Sequence, residues 1–126
     1  MKIAMELAQQ GKGRTHPNPA VGCVIVKNGK VIGKGFTQPA GKNHAEIEAL
    51  VHCKQNPKGA EMYVTLEPCC HFGRTPPCTQ SVIRTGIAKV FFAARDPNPK
   101  VFGKVEKELH KAGVQTEFVK EFEKES

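Results

Sequence analysis

The chain has 126 residues, 39% of them hydrophobic and 25% charged, with no tryptophan and 6% aromatics. That is one globular domain's worth of chain, able to bury roughly two-thirds of its unfolded surface; it leaves no room for a full dinucleotide-binding domain and supplies few rings for a single-stranded nucleic-acid platform. The net charge of +7 points to an anionic partner, polymer or small phosphate, and since residues 104–126 hold five Lys against six Glu, the excess lies in the first 103 residues.

Residues 2–10 have apolar side chains at 3, 4, 5, 7 and 8 with Lys2, Glu6, Gln9 and Gln10 between them, which predicts an amphipathic helix stopped by Gly11 and Gly13 rather than a secretory signal. Arg14 to Pro19 is a loop, because Pro17 and Pro19 restrict themselves and their predecessors. Val21–Val26 is a β-branched run, Asn28-Gly29 a hairpin turn, and Val31–Thr37 the returning strand, in which Gly33 and Gly35 signal a bend or a close backbone approach. Asn43–Lys54 is helical and closed by Asn56-Pro57; Met62–Leu66 is a short strand. Glu67–Pro77 is a loop, Cys78–Arg84 a helix entered through Pro76-Pro77, and Lys89–Ala94 a buried strand. After the rigid Asp96-Pro97-Asn98-Pro99 come a helix over Val101–Lys111 and a last strand over Val114–Val119. A hairpin followed by βαβ units predicts a mixed sheet with helices on both faces and a ligand site where strand ends meet helix starts. No run is long enough to span a bilayer. Five cysteines without an export signal argue for reduced thiols, metal ligands or core packing, and for a cytoplasmic protein.

Two segments carry chemistry: Asn43-His44-Ala45-Glu46, and Thr65 to Cys78. Taken singly, each has a plain structural explanation. Asn43 and Glu46 fit a capping box, a histidine at a helix start is ordinary polar surface, and cysteines pack. Taken together, His44, Cys69 and Cys78 supply one imidazole and two thiolates, a donor set that zinc prefers and that leaves a fourth position open for water. Glu46 can converge with His44 only in the first helical turn, where its carboxylate can take a proton from that water and pass it to a leaving amine.

His44-Ala45-Glu46 followed by Pro68-Cys69 matches the H-x-E…P-C pattern of zinc nucleobase deaminases, but nine positions separate Cys69 from Cys78 where that pattern has three. With that long loop and its Gly73-Arg74-Thr75-Pro76-Pro77, together with Pro17-Asn18-Pro19-Ala20-Val21-Gly22 and Asp96-Pro97-Asn98-Pro99, the chain resembles the deaminase domain of the bacterial riboflavin-biosynthesis deaminase/reductase from about residue 2 to 117. The resemblance implies a three-layer α/β/α cytidine deaminase-like sandwich with a mixed five-stranded sheet, and a single deaminase domain over residues 1–126 without the reductase. It implies hydrolytic removal of an amine from diaminohydroxyphosphoribosylaminopyrimidine. Zinc would be held by His44, Cys69 and Cys78, with Glu46 as proton shuttle and Asn18, His71 and Arg74 in the substrate pocket. A homo-oligomer and a separate reductase partner follow by the same resemblance. Asn18 offers a donor and an acceptor to a pyrimidine edge, and Arg74 suits a ribose phosphate.

The chain departs from the family at Cys70, which stands where serine is common and rivals Cys69 as ligand, although Pro68-Cys69 keeps the motif register. Thr37 stands where histidine is frequent. Two other readings remain open. A nucleic-acid deaminase of the transfer-RNA type would use the +7 charge but needs the short P-C-x-x-C spacing. An inactive structural zinc module needs a fourth ligand, Cys70 or His71. Cys23 and Cys53 read as packing, and His16, His52 and His110 as surface. Gly11-Lys12-Gly13 lacks phosphate-loop spacing, and Asp96 and Asn98 read as helix caps rather than substrate contacts.

Overall fold

The structure, a computed structural model, describes residues 1–11, 21–36, 44–65, 78–93 and 104–119. Asn28 and Gly29 have φ of 52° and 78°, the paired left-handed geometry of a hairpin turn whose twist matches its strands. They join β1 (Gly22–Lys27) to β2 (Lys30–Phe36), antiparallel, with Gly22 opposite Phe36 and a bulge between Ile25 and Val26. Nothing lies within 4 Å of where a Gly29 Cβ would sit. Gly29→Ala is therefore expected to cost only the strain of a left-handed Cβ, about 1 kcal/mol. Urea unfolding reads this as a lower midpoint at unchanged slope; an unchanged midpoint would contradict the turn.

On its other side β1 pairs antiparallel with β3 (Glu61–Val64), and β4 (Lys89–Phe92) and β5 (Gln115–Phe118) extend the sheet in parallel. The five-stranded order is β2-β1-β3-β4-β5, the mixed sheet that a hairpin followed by βαβ units predicts.

The glycines show which helix covers which face. A Cβ on Gly22 would overlap the Ala4 carbonyl of α1 (Lys2–Gly11). The next residue, Cys23, points the opposite way and is the register partner of Gly35. A Cβ on Gly35 would stand 2.5 Å from the Ala49 nitrogen of α2 (Ala45–Val51). Thus α1 and α2 lie on opposite faces. The helix α3 (Cys78–Thr85) packs beside α2 and beside α4 (Lys104–Lys111), which places all three in one layer. Under that layer Met62, Val64, Val90 and Phe92 join Val82, Val105 and Leu109 in the core. On the opposite face Tyr63 and Phe91 stack with centroids 4.5 Å apart, and Lys89 sits over Phe91 and pairs with Glu117.

Element boundaries depart from the sequence reading where tertiary hydrogen bonds compete. The second helix ends at Val51, short of Lys54, because the Lys54 N–H donates to the Ile32 carbonyl at the β2 edge. The third strand stops at Val64, and Thr65 instead clasps the start of β1. Its N–H donates to the Gly22 carbonyl at 3.0 Å, and its Oγ1 accepts from the Gly22 N–H at 3.1 Å. The first helix runs through Gly11. Residues 101–103 of the predicted fourth helix lie outside the described residues. Among the described residues no helix is long and apolar enough to cross a membrane.

Candidate active site

The strand register collects one end of the sheet. Gly22 lies opposite Phe36, Cys23 opposite Val64, Val64 opposite Phe92, and Phe92 opposite Phe118. So β1 starts where β2, β3, β4 and β5 finish. Two helices also begin there. The first turn of α2 lies over Gly35, while the segment after α2 reaches back to Ile32. The C-terminal end of α3 is tied to the far end of the sheet by Gly59 N–H to the Gly86 carbonyl and Ala88 N–H to the Ala60 carbonyl. Cys78, the first residue of α3, therefore stands at the same end as His44 and Glu46.

At α2 the structure corrects the capping-box reading. That reading makes Asn43 the N-cap and Glu46 the third helical residue. Instead His44 is the N-cap, with extended φ of −72° and ψ of 165° and no side-chain cap bond, and Glu46 is the second helical residue. Its side chain turns inward and is 4% exposed. The helix can sit this low because Ala45 and Ala49, fully buried beside it, have no bulk to hold it off the sheet. A carboxylate is almost never so buried without a specific task or partner, and this one lies beneath the helix start that presents His44.

The Glu46 charge also bears on β1. Burial pushes the Cys23 thiol well above its ordinary 9.0, and the nearby Glu46 charge and then Cys53 push it further. A folded-state value above the unfolded one favours the neutral thiol, so Cys23 adds stability that is complete below pH 9.0 and is lost as pH rises through the folded value. Below pH 9.0, alkylation followed by peptide mapping is expected to leave Cys23 unlabelled in the native protein and to label it on unfolding. Native labelling of Cys23 as fast as that of Cys53 would contradict its burial.

Cys53 is half-buried against the core, its Sγ directed at the Ala49 carbonyl at 3.4 Å, so packing is its role. His52 is exposed beside the Glu48 carbonyl, and His110 is exposed with Nε2 2.9 Å from Thr116 Oγ1; both are surface residues. Asn18, Cys69, His71 and Arg74, with His16, Thr37, Cys70, Asp96 and Asn98, lie outside the described residues. Among the described residues no three His, Cys, Asp or Glu side chains gather as a metal site; the structure places His44, Glu46 and the start of α3 at Cys78 at the same end of the sheet. The donor chemistry of His44 with two cysteines fits zinc, and His44 stands at the N-cap of α2 without a side-chain cap bond. Thr79, fully buried next to Cys78, donates from Oγ1 to Glu108 at 3.1 Å and so pins the start of α3 to α4. Sequence reasoning missed both Thr79 and the Thr65 clasp, since nothing in a lone threonine marks its partner.

The model of the cytidine and deoxycytidylate deaminase zinc-binding region matches residues 1–94. The fold and this match define the class: a zinc-binding deaminase domain of the cytidine deaminase type. The riboflavin biosynthesis protein RibD of Aquifex aeolicus is 54% identical over 93% of this chain and 33% of its own length. A diaminohydroxyphosphoribosylamino-pyrimidine deaminase of Buchnera aphidicola from Acyrthosiphon pisum is 51% identical over 90% of this chain and 78% of its own. A Thermotoga maritima structure, described as that deaminase joined to a 5-amino-6-(5-phosphoribosylamino)uracil reductase, superposes with a TM-score of 0.91 at 42% identity, covering 99% of this chain and 36% of that one. The chain belongs to the RibD deaminase family, and it spans about a third of the length of the RibD relative from Aquifex aeolicus.

Proposed function

We propose that this chain catalyses the hydrolytic deamination of diaminohydroxyphosphoribosylaminopyrimidine in riboflavin biosynthesis, with His44, Cys69 and Cys78 as zinc ligands and Glu46 as the proton carrier. The observation that carries the reading is the buried Glu46, 4% exposed, under the helix start that presents His44, at the same sheet end as Cys78. Its support from relatives is the 51% identity to a deaminase of which the chain covers 78%.

Zinc, when bound, supplies the polarisation that makes water a nucleophile near neutral pH. The protein's own residues do the rest. The Glu46 carboxylate takes a proton as the water oxygen bonds to the amine-bearing ring carbon. It delivers that proton to the adjacent ring nitrogen, then carries the adduct's hydroxyl proton to the exocyclic nitrogen as the carbon–nitrogen bond breaks, so that ammonia leaves and a carbonyl remains. Burial keeps bulk water from competing for that proton. Asn18 pairs with the pyrimidine edge, His71 lines the pocket and Arg74 binds the ribose phosphate. The +7 charge of the chain suits a small phosphorylated substrate.

The product then passes to a reductase, in the same chain or a separate one, and the deaminase works in the cytoplasm as a homo-oligomer. The reading is tested with zinc-loaded protein on a panel of amines. Ammonia is expected from the phosphorylated diaminopyrimidine, far less from its dephosphorylated form, and none from cytidine or transfer RNA. Release from RNA with the phosphorylated pyrimidine untouched would overturn the substrate assignment.

A further inference from the structure

We propose that Gly35 is a positioning residue for the deaminase site: the missing side chain sets the depth at which the first turn of α2 rests on β2, and so where Glu46 and His44 stand. The proposal rests on the reading of those two residues as site residues.

A Cβ on Gly35 would stand 2.5 Å from the Ala49 nitrogen, 2.7 Å from the Ala45 carbonyl oxygen and 2.7 Å from the Glu48 Cβ. None of these atoms can swing aside, since two are backbone and the third is the root of a side chain. The contacted residues, 45, 48 and 49, bracket Glu46. Ala45 and Ala49 are already fully buried, so the helix has nothing further to trim. Relief must come from lifting a helix only seven residues long, which carries Glu46 and His44 with it. Gly33 meets the same helix later, with the Ala49 carbonyl oxygen at 2.5 Å and Cys53 Sγ at 2.8 Å, and so governs its far end.

Restoring ordinary contact means a shift approaching 1 Å, and misplacement on that scale costs about 100-fold in rate. The test uses the zinc-loaded full chain in four forms: wild type, Gly35→Ala, Ala49→Ser, which wedges the notch from the helix side, and Leu109→Ala. The last lies on α4 and is fully buried; it supplies a loss of thermal stability without touching α2. Below each melting temperature, Gly35→Ala is expected to lower kcat about 100-fold with KM within about threefold, and to weaken zinc about tenfold in chelator competition. Ala49→Ser moves both in the same direction by less, and Leu109→Ala leaves both within about threefold. A folded Gly35→Ala that keeps kcat and zinc affinity, or loses them no more than Leu109→Ala, overturns the proposal; if Gly35→Ala does not fold, Ala49→Ser decides by the same comparison. Should wild type fail to release ammonia, the function reading falls, and zinc affinity alone, weaker in Gly35→Ala or equal to Leu109→Ala, upholds or overturns the positioning role.

Discussion

Glu46→Gln is expected to keep its zinc and lose at least 100-fold, and up to about 10,000-fold, in kcat. The amide fills the same buried space, where the native residue is 4% exposed, but it cannot accept the proton that must leave the water. Because Glu46 is assigned no metal bond, zinc content by elemental analysis stays at the wild-type value. The pair of measurements separates two errors. Loss of zinc would mean that the carboxylate is a ligand and that His44, Cys69 and Cys78 are misassigned. Turnover within tenfold of wild type, with zinc retained, would mean that another group carries the proton.

Cys78→Ser is expected to lose both metal and stability. A serine hydroxyl does not ionise near neutral pH and is a poor substitute for a thiolate. Metal binding and folding are coupled when the ligands come from separate segments, and the proposed ligands do: His44 precedes α2, Cys78 opens α3, and the two helices pack together. Removing the ligand withdraws that link, a loss on the order of several kcal/mol. The expected signature is a variant that purifies with little zinc and melts at a temperature a chelator does not change, while the wild-type melt drops on chelation. Full zinc content with a chelator-sensitive melt would remove Cys78 from the ligand set.

Much of this architecture is written locally. Asn28-Gly29 dictates its hairpin because few residue pairs accept φ of 52° and 78° in succession. Met62 and Val64, like Val90 and Phe92, alternate with partly exposed neighbours and are themselves buried. The zinc-binding class is legible for a similar reason, since His44-Ala45-Glu46 followed by Pro68-Cys69 is a pattern with few other uses, and the matching family model is a deaminase zinc-binding region. What the sequence does not show is set by tertiary contact. The N-cap falls on His44 rather than Asn43 because Gly35 and the two alanines let α2 settle onto β2 in that register. The Glu46 charge that helps keep the Cys23 thiol neutral comes from a segment 23 residues away in the chain. At Thr65 a clasp of one backbone and one side-chain hydrogen bond to Gly22 takes the place of predicted strand, and propensity does not encode it. Asn18, Cys69, His71 and Arg74 stand on sequence alone, as they lie outside the described residues.

The central claim is that this chain is a zinc-dependent deaminase of a phosphorylated diaminopyrimidine. It is tested most directly by ammonia release from that substrate as one equivalent of zinc per chain is returned to metal-free protein. The account predicts no release without metal, recovery that saturates at one zinc, and one ammonia for each substrate consumed. Fully metallated, folded protein that leaves the substrate unchanged would contradict it.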